Sequence, residues 1–317
     1  MSDNLSCPLC LASQTPKKEK ERVYKTHHPL FASCQIVFCE ACKSGWVSNP
    51  PDGKLLQEYY DIESNKVSSF FGFTVKPLLT LERCQSLARW RFILDAVRKA
   101  GRKDFLNKFS VCDIGAGYGC TLEVGRYQKF DFDFFAFEKS KTLRQHITAL
   151  GGTVSGDLFE TEEKKQFDLV WASHILEHYA DPDIFIKEIK QLMKLEGLGF
   201  VEVPFLDCEY KTNLTEHLLF FTMDGLQKVL ERNGLKILSL DSVGLSREKT
   251  KMIFEQYPKN RHSWHNKAKR ALSSIFVRKN LATDLQNNAV FDEWGMEAYG
   301  GGDRCWIRAV FSKGCDA

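Results

Sequence analysis

Strand-like and helix-like segments alternate along the middle of the chain. Short runs of apolar residues recur there, and segments whose apolar residues repeat every three to four positions follow several of them. Such an alternation predicts an α/β fold in which a parallel sheet is covered by helices on both faces. The predicted strands span residues 110–114, 132–137, 167–172, 199–203, 236–240 and 306–311.

The helix predicted over residues 182–194 has the clearest signals. Asp181 is a favourable N-cap, and Pro182 suits the first helical position. Apolar residues at helical spacing form the stripe that we expect to be buried: Phe185, Ile189, Leu192 and Met193. Further helices are predicted at residues 55–60, 78–100 and 223–232, and the last two end near Gly101 and Gly234.

Breaks in this pattern divide the chain into four predicted parts. The sequence Asn49-Pro50-Pro51-Asp52-Gly53 is a strong turn signal and marks the first boundary. The parts are a cysteine-rich module at 1–52, a helical linker or lid at 53–105, a core at 106–245 plus 301–317, and an insertion at 246–300. Residues 247–279 of the insertion are rich in Lys and Arg, which indicates either a solvated face or a basic wall that receives an anionic substrate.

Composition places few limits on function. The chain has 317 residues, of which 43% are hydrophobic and 27% charged, and its net charge is +3. This small positive charge does not by itself indicate a protein that binds nucleic acid. No apolar stretch reaches the roughly 18 residues of a membrane span, and the N-terminal sequence does not resemble a signal peptide. A cytoplasmic protein without a membrane span is therefore expected.

A glycine-rich turn follows the first predicted core strand, with the sequence Asp113-Ile114-Gly115-Ala116-Gly117-Tyr118-Gly119. Glycine lets a ligand approach the backbone closely because it has no Cβ atom. A dinucleotide-binding turn would place its third glycine three residues after the second, whereas Gly119 comes two residues after Gly117. Asp113 would also repel a pyrophosphate, but it suits the ammonium group of an amino-acid cofactor.

This turn resembles motif I of class I S-adenosylmethionine-dependent methyltransferases, which has the pattern hhDhGxGxG. The resemblance extends over about residues 107–245 and implies a Rossmann-like, doubly wound sheet. It also implies that Glu138 accepts hydrogen bonds from the ribose hydroxyls and that Asp157 receives the adenine amino group. The residues implied to bind S-adenosyl-L-methionine are Asp113, Gly115, Ala116, Gly117, Glu138, Asp157, Leu158 and Ser173.

Residues 167–178, which comprise a predicted strand and the turn after it, and residues 216–222 resemble a subgroup that includes ubiquinone-pathway and sugar methyltransferases. Methylation of a hydroxyl or an acidic carbon needs a base, and histidine is the usual choice near neutral pH. His174 is the first candidate, followed by His217 and His178, although each can equally be structural. Some quinone-pathway relatives have a metal-binding Glu-x-x-Glu-His at this place. Here His174 replaces the first Glu, which disfavours Mg²⁺, so Glu177 and His178 are predicted to brace the turn.

Two Cys-x-x-Cys pairs stand near the N-terminus, separated by a loop and a predicted strand at 35–38: Cys7, Cys10, Cys39 and Cys42. Each pair can offer two thiolates from one turn, so together they predict a tetrahedral, structural Zn²⁺ site. The alternatives are free buried cysteines and a redox pair, and the second is disfavoured because neither pair precedes a thioredoxin-like helix. The segment resembles the N-terminal zinc module of bacterial small-molecule methyltransferases, including nucleotide-sugar C-methyltransferases. Ribosomal-RNA guanine methyltransferases are alternative relatives.

Residues and resemblance together predict an S-adenosylmethionine-dependent methyltransferase with structural Zn²⁺. The expected acceptor is a small molecule, above all a sugar or nucleotide sugar of polysaccharide or natural-product biosynthesis, and phosphorylated acceptors are included. Nucleic acid is not the expected partner, and the oligomeric state is open. One alternative is an RNA methyltransferase whose zinc module and basic segment hold the backbone. The other is a non-catalytic subunit that binds S-adenosylmethionine.

Overall fold

The computed structural model describes residues 5–14, 21–70, 75–102, 105, 107–156, 158, 165–211, 213–214, 216–252, 285 and 303–314. The α-helices in this part of the chain are α1 (Gly53–Phe70), α2 (Val75–Lys99), α3 (Cys120–Tyr127), α4 (Lys141–Ala149), α5 (Pro182–Leu192) and α6 (Met223–Arg232). Among these described helices, none combines the length and the apolar character that crossing a bilayer requires.

The strands of the same residues belong to three sheets. In chain order they are β1 (Leu5–Ser6), β2 (Ser13–Gln14), β3 (Glu21–Val23), β4 (Gln35–Phe38), β5 (Gly45–Val47), β6 (Phe109–Ile114), β7 (Phe132–Phe137), β8 (Thr153–Ser155), β9 (Phe167–Ser173), β10 (Met193–Pro204), β11 (Leu219–Phe220), β12 (Leu235–Ser246) and β13 (Arg304–Lys313). Strands β1 and β2 pair with each other alone.

Seven strands form the central sheet, in the order β12-β13-β10-β9-β6-β7-β8. Strands β8, β7, β6, β9 and β10 are parallel, whereas β13 runs antiparallel to both β10 and β12. The chain enters the sheet at β6, and the strand order reverses between β6 and β9. In such a sheet, ligands bind at the carboxyl ends of the strands beside the reversal. The predicted Rossmann-like α/β fold is confirmed, and its ligand edge lies at the ends of β6, β7 and β9.

The apolar core lies on both faces of this sheet. On one face, Trp90 of α2 packs against Trp171 of β9, with ring centroids 5.1 Å apart. On the other face, α5 buries Phe185 and Ile189. Each large apolar side chain removed from water stabilises the fold by about 1.5–3 kcal/mol, so the sheet is a firm base for the loops at its edge.

Helix boundaries follow the sequence closely where capping residues are present. Asp181 accepts a hydrogen bond from the N–H of Asp183 at 2.9 Å, and Thr222 accepts one from Gly225 at 3.1 Å. These bonds satisfy backbone donors at the starts of α5 and α6. Helix α6 has the predicted bounds, whereas α5 ends before the predicted residue 194 because β10 begins at Met193 and pairs with β9.

The structure differs from the prediction in one segment and describes only part of another. The sequence predicts a helix over residues 55–60, but α1 runs from Gly53 to Phe70. The second half of α1 is mostly polar, so it lacks the apolar spacing by which a helix is predicted. Of the predicted insertion at 246–300, residues 246–252 and Leu285 are described, and the rest lies outside the described residues.

A second sheet joins the N-terminal residues to the core. It has the order β11-β5-β4-β3, with antiparallel neighbours throughout. Strands β3, β4 and β5 precede α1, whereas β11 lies between β10 and α6 of the core. Leu219 pairs with Trp46, and the N–H of Val47 donates to Leu218 O at 2.9 Å. The N-terminal sheet is therefore completed by a strand of the core.

Helix α6 holds both cysteine turns. Arg232, in its last turn, donates from Nη2 to Pro8 O at 2.7 Å, and its guanidinium also donates to Leu9 O. Thr222, the N-cap of α6, donates from its hydroxyl to Cys42 O at 2.7 Å. Hydrogen bonds at the two ends of one helix thus fix the first and second cysteine turns to the core.

Candidate active site and cysteine cluster

The glycine-rich turn begins where β6 ends at Ile114. Gly115, Gly117 and Gly119 have φ angles of 71°, 53° and 69°, a region that residues with a Cβ atom rarely adopt. A Cβ atom at Gly115 would lie 2.3 Å from Cδ1 of Ile175, whereas one at Gly117 would meet nothing within 4 Å. The turn therefore requires glycine at these positions, and the space beside Gly117 is open to a ligand.

Glu138 directly follows β7, the strand next to β6. Its carboxylate accepts hydrogen bonds from the N–H groups of Gly117 at 2.9 Å and Ser140 at 2.8 Å. Burial raises the pKa of Glu138, and these two hydrogen bonds act in the opposite direction. A carboxylate offers about four acceptor positions, so Glu138 retains capacity for ligand hydroxyls.

Asp113 lies one residue before the end of β6 and is buried. Burial raises the pKa of its carboxyl to about 7, and contact with Thr121 and the charge of Arg89 only partly offset that effect. Because a nearby positive charge favours the ionised form, a cationic ligand group would stabilise this carboxylate. The position and the electrostatics of Asp113 suit the ammonium group expected from the sequence.

A cavity of about 720 Å³ opens at the carboxyl edge of the sheet. Volumes of roughly 300–1,000 Å³ are typical of small-molecule sites. Three predicted cofactor residues line it, namely Gly115, Glu138 and Leu158. Its other walls come from α1, from the segment after β9, and from the segment before β11. Besides Glu138, the polar residues of the whole lining are Gln57, Tyr60, Lys139, Ser140, His178, Tyr179, Asp181 and Glu216.

The remaining predicted cofactor residues are Ala116, Ser173 and Asp157. Ala116 lies between two glycines of the turn and is partly exposed, and Ser173 is the last residue of β9 and is also partly exposed. Asp157 lies outside the described residues, whereas its neighbour Leu158 is buried in the cavity wall. The predicted cofactor residues that the structure describes therefore all lie at one edge of the sheet.

His174, the first candidate for the base, comes directly after β9 and has a φ angle of 57°. Its Nε2 lies 3.1 Å from Glu202 Oε1, and its Nδ1 lies 3.4 Å from Glu177 Oε1. Removal from water lowers the pKa of the imidazole, but the two carboxylates outweigh this effect and raise the pKa to about 9. A protonated imidazole cannot accept a proton, so this geometry favours a positioning role for His174.

Glu202 of β10 is the centre of a buried ion network that sequence analysis missed. Arg89 of α2 donates to its Oε1 at 2.6 and 2.9 Å, and Arg308 of β13 donates to its Oε2. Burial alone would raise the pKa of Glu202, but the two arginines hold it well below its usual value. The partners come from segments more than 100 residues away, so no local spacing reveals them.

His178 lines the cavity, and His217 lies beside it with ring centroids 5.0 Å apart. His178 Nδ1 is 3.1 Å from the backbone oxygen of Glu216, and His217 Nδ1 is 2.8 Å from Oδ2 of the buried Asp207. Burial lowers the pKa of both imidazoles. Sequence analysis did not single out Asp207 and Glu216, because only the fold brings Asp207 to His217 and Glu216 to His178.

The four predicted zinc ligands converge. The Sγ atoms of Cys7 and Cys42 are 3.8 Å apart, those of Cys10 and Cys39 are 3.4 Å apart, and all four lie within 4.8 Å of one another. A tetrahedral site with Zn–S bonds of about 2.3 Å separates its sulfur atoms by about 3.8 Å. The cluster therefore has the donor set and the spacing of a structural Zn²⁺ site.

A comparison with known protein families covers the residues at this edge of the sheet. Residues 85–240 match a family model described as a methyltransferase domain. The match covers the glycine turn, Glu138 and the histidines described above. Residues 85–240 of the chain therefore form a methyltransferase domain. The predictions that it is an enzyme and that it depends on S-adenosylmethionine are therefore confirmed at the level of the family.

Solved structures similar to this methyltransferase share little sequence with it. Coclaurine N-methyltransferase, bound to N-methylheliamine and S-adenosylhomocysteine, is 15% identical, with a TM-score of 0.44 and 70% of each chain covered. An S-adenosylmethionine-dependent methyltransferase from Thermotoga maritima is 16% identical, with a TM-score of 0.45, and the match covers 81% of this chain and 99% of that one. One from Clostridium acetobutylicum is 10% identical, with a TM-score of 0.43 and coverages of 83% and 99%. The comparison with curated proteins finds no match.

Replacing Glu138 by Gln is expected to weaken S-adenosylmethionine binding to the methyltransferase by about 10- to 100-fold. The amide removes charge-assisted hydrogen bonds, which contribute about 1.5–3 kcal/mol each. Titration calorimetry measures the change. Glu231→Gln, the same substitution at an exposed position of α6, is the matched control and should leave the affinity unchanged. Equal affinity in both variants would contradict the donor role of Glu138.

Donor binding to the methyltransferase should also depend on pH through Asp113. The pKa of this carboxyl is raised to about 7, so its ionised fraction falls as the pH is lowered through that value. If the ionised form binds the ammonium group, affinity for S-adenosylhomocysteine falls about eightfold between pH 7.5 and pH 6. Calorimetry at several pH values tests this expectation. Asp113→Asn should bind weakly at every pH, and a pH dependence that persists in this variant would assign the effect to another group.

Proposed function

We propose that this methyltransferase acts on a small polar molecule, above all a sugar or a nucleotide sugar. One observation carries the proposal: predicted donor residues and the polar groups of three neighbouring segments line the same cavity. Its volume of about 720 Å³ lies within the range of sites that hold small ligands. Helix α1 forms one wall through Leu56, Gln57 and Tyr60, which favours a compact acceptor over a polymer.

Donor binding is assigned to the edge formed by β6 and β7. In this proposal, the glycine turn with Ala116 leaves room for the amino-acid end, Asp113 balances its ammonium group, and Glu138 accepts the ribose hydroxyls. Leu158 and Ser173 flank the same space. S-adenosylmethionine supplies a methyl group on a sulfonium when bound, and in such a displacement positioning accounts for much of the rate.

Acceptor binding is assigned to the walls made by α1 and the segments after β9 and before β11. Glu216 is held at the cavity by Tyr59, whose hydroxyl donates to its Oε1 at 2.6 Å. Asp181 contributes a further carboxylate to these walls, and Lys139, which directly follows Glu138, contributes a cation to the same cavity. These groups offer both donors and acceptors, as a polyhydroxyl compound requires, and Lys139 suits an acceptor that carries phosphate.

The three histidines predicted to be catalytic occupy different positions. His178 lines the cavity, His217 packs against His178 from the neighbouring loop, and His174 is held by two carboxylates. We therefore assign His178 and His217 to the acceptor and His174 to the support of the turn. This assignment reverses the order in which the sequence ranks them as candidates.

Structural Zn²⁺ at Cys7, Cys10, Cys39 and Cys42 completes the proposal. Four thiolates saturate a tetrahedral ion, so the metal stabilises the N-terminal residues and takes no part in the methyl transfer. Free cysteines of this kind accord with the predicted cytoplasmic location.

The experiment that tests the function supplies labelled S-adenosylmethionine together with pools of sugars, nucleotide sugars and RNA. Mass spectrometry then locates the transferred methyl group. We expect label on a small polar acceptor and none in the Gly117→Arg variant, in which a side chain fills the open space beside the turn. Label on RNA alone would overturn the proposal in favour of an RNA methyltransferase. Donor binding without transfer to any pool would favour a non-catalytic subunit.

A further inference from the structure

Glu177 is a buried carboxylate that accepts no hydrogen bond from any residue the structure describes. It lies in the turn after β9 and is 1% exposed. Neither of its oxygens accepts a hydrogen bond from the described residues, although His174 Nδ1 approaches Oε1 to 3.4 Å. Buried charges are normally both paired and hydrogen-bonded, and a carboxylate that is not commonly marks the position of an ion or a water molecule.

Two imidazoles beside Glu177 have neighbours of the kind that metal-binding histidines usually have. A histidine that binds a metal through one nitrogen almost always directs the other to a carboxylate or a backbone carbonyl. His217 Nδ1 lies 2.8 Å from the Asp207 carboxylate, and His178 Nδ1 lies 3.1 Å from the Glu216 carbonyl oxygen. His178 Nδ1 therefore has a hydrogen-bond partner of the expected kind, whereas His217 Nδ1 lies close to Asp207 but forms no hydrogen bond with it among the described residues.

We propose that Glu177, His178 and His217 bind a divalent transition-metal ion, separate from the four-cysteine cluster. Their donor atoms lie within 4.8 Å of one another. Ligands at about 2.0–2.1 Å in a tetrahedral site are about 3.3 Å apart, so small side-chain rotations bring them onto one ion. Among the described residues the Glu177 carboxylate accepts no hydrogen bond and has only the 3.4 Å ion pair with His174, so a small rotation is possible.

The donor set determines which metal the site takes. Two imidazole nitrogens and one carboxylate suit Zn²⁺, Fe²⁺ or Co²⁺, whereas Mg²⁺ and Ca²⁺ prefer oxygen ligands. His217 belongs to a loop far along the chain from the Glu177–His178 pair, so the full set of three is not visible as one local sequence motif. Three protein ligands leave a coordination position open. Since His178 lines the cavity, an oxygen of the acceptor or of water can occupy that position.

A Co²⁺ titration of the purified full chain tests this proposal without measuring methyl transfer. Cobalt bound by thiolates gives strong sulfur-to-metal charge-transfer bands, whereas cobalt bound by imidazole and carboxylate gives only weak visible bands. We expect two Co²⁺ per chain, of which the second adds weak bands alone. Anomalous scattering at the cobalt edge should place that ion between Glu177, His178 and His217.

Variants distinguish this site from the cysteine cluster. Glu177→Gln and His217→Gln should each lose the second Co²⁺, with affinity lower by more than about 100-fold, and keep the charge-transfer bands. Asp207→Asn, which acts through His217, should lower the affinity by about 10- to 100-fold. Glu231→Gln and His146→Gln make the same chemical changes at exposed positions and should retain both ions.

Two results would overturn the proposal. One is a wild-type chain that binds a single Co²⁺, with strong charge-transfer bands, and shows a water molecule without anomalous signal beside Glu177. The other is a second Co²⁺ that binds equally well to the Glu177→Gln variant. Calorimetry with S-adenosylhomocysteine on each variant establishes that the fold and the donor site are intact. Failure of the metal site is thereby separated from failure of the proposed methyltransferase function.

Discussion

Replacing Cys39 by Ser is expected to loosen the segment from Leu214 to Leu218 beside the cavity, while donor affinity changes by less than about threefold. Structural Zn²⁺ contributes about 10–16 kcal/mol to the folding of small modules, so losing one thiolate should unfold the N-terminal sheet. The donor residues stand on β6 and β7 of the central sheet, whereas β3, β4 and β5 belong to the N-terminal sheet. The donor residues should therefore keep their affinity, whereas the cavity wall that contains Leu214 to Leu218 should lose its support.

The expected loosening follows from hydrogen bonds between the two parts of the chain. The N–H of Leu214 donates to Lys25 O at 2.7 Å, and the hydroxyl of Tyr24 donates to Leu214 O. The N–H of Val47 donates to Leu218 O at 2.9 Å. These contacts bracket Glu216 and His217, so unfolding of the N-terminal sheet removes the supports on both sides of that pair.

Hydrogen exchange followed by mass spectrometry measures this effect without a known acceptor. Peptides that contain the amides of Val47 and Leu214 should exchange at least about 100-fold faster in Cys39→Ser, as expected when a protected unit opens locally. Cys34→Ser is the matched control, because Cys34 is a buried cysteine of the same module that lies outside the cluster. Unchanged protection in Cys39→Ser would show that the module does not need the metal.

Replacing Glu202 by Ala should lower the free energy of unfolding by about 3–5 kcal/mol. The change leaves Arg89 and Arg308 buried without their shared carboxylate, and Arg308 is fully buried. Denaturant unfolding followed by circular dichroism measures the loss. Glu123→Gln, which breaks a partly exposed pair with Arg83, should cost no more than about 1 kcal/mol. A loss below that figure in Glu202→Ala would mean that water reaches the arginines.

The part of the site that rests on local sequence could be predicted. The spacing of Gly115, Gly117 and Gly119 depends on one turn, and Glu138 follows the strand beside that turn. The two cysteine pairs are equally local, since each pair occupies one short turn. Backbone conformation and residue type are coupled within such segments, so one sequence carries the information.

The part that rests on distant contacts could not be predicted. In the sequence, nothing distinguishes Glu202 from other residues of an apolar strand. The two arginines that donate hydrogen bonds to it lie on other elements. Asp207 meets His217 only because the loop between β10 and β11 folds back on itself. His174 looks like the best base from its place after β9, and its two carboxylate neighbours change that assessment.

The pairing of β5 with β11 has a consequence for the order in which the chain folds. Leu219 follows Val47 by more than 150 residues, so during synthesis the edge of β5 emerges well before its partner strand. At about 5–20 residues per second, the ribosome leaves that edge unpaired for roughly 10–30 s. Exposed strand edges invite pairing with other chains, and the nascent protein is most vulnerable to aggregation during this interval.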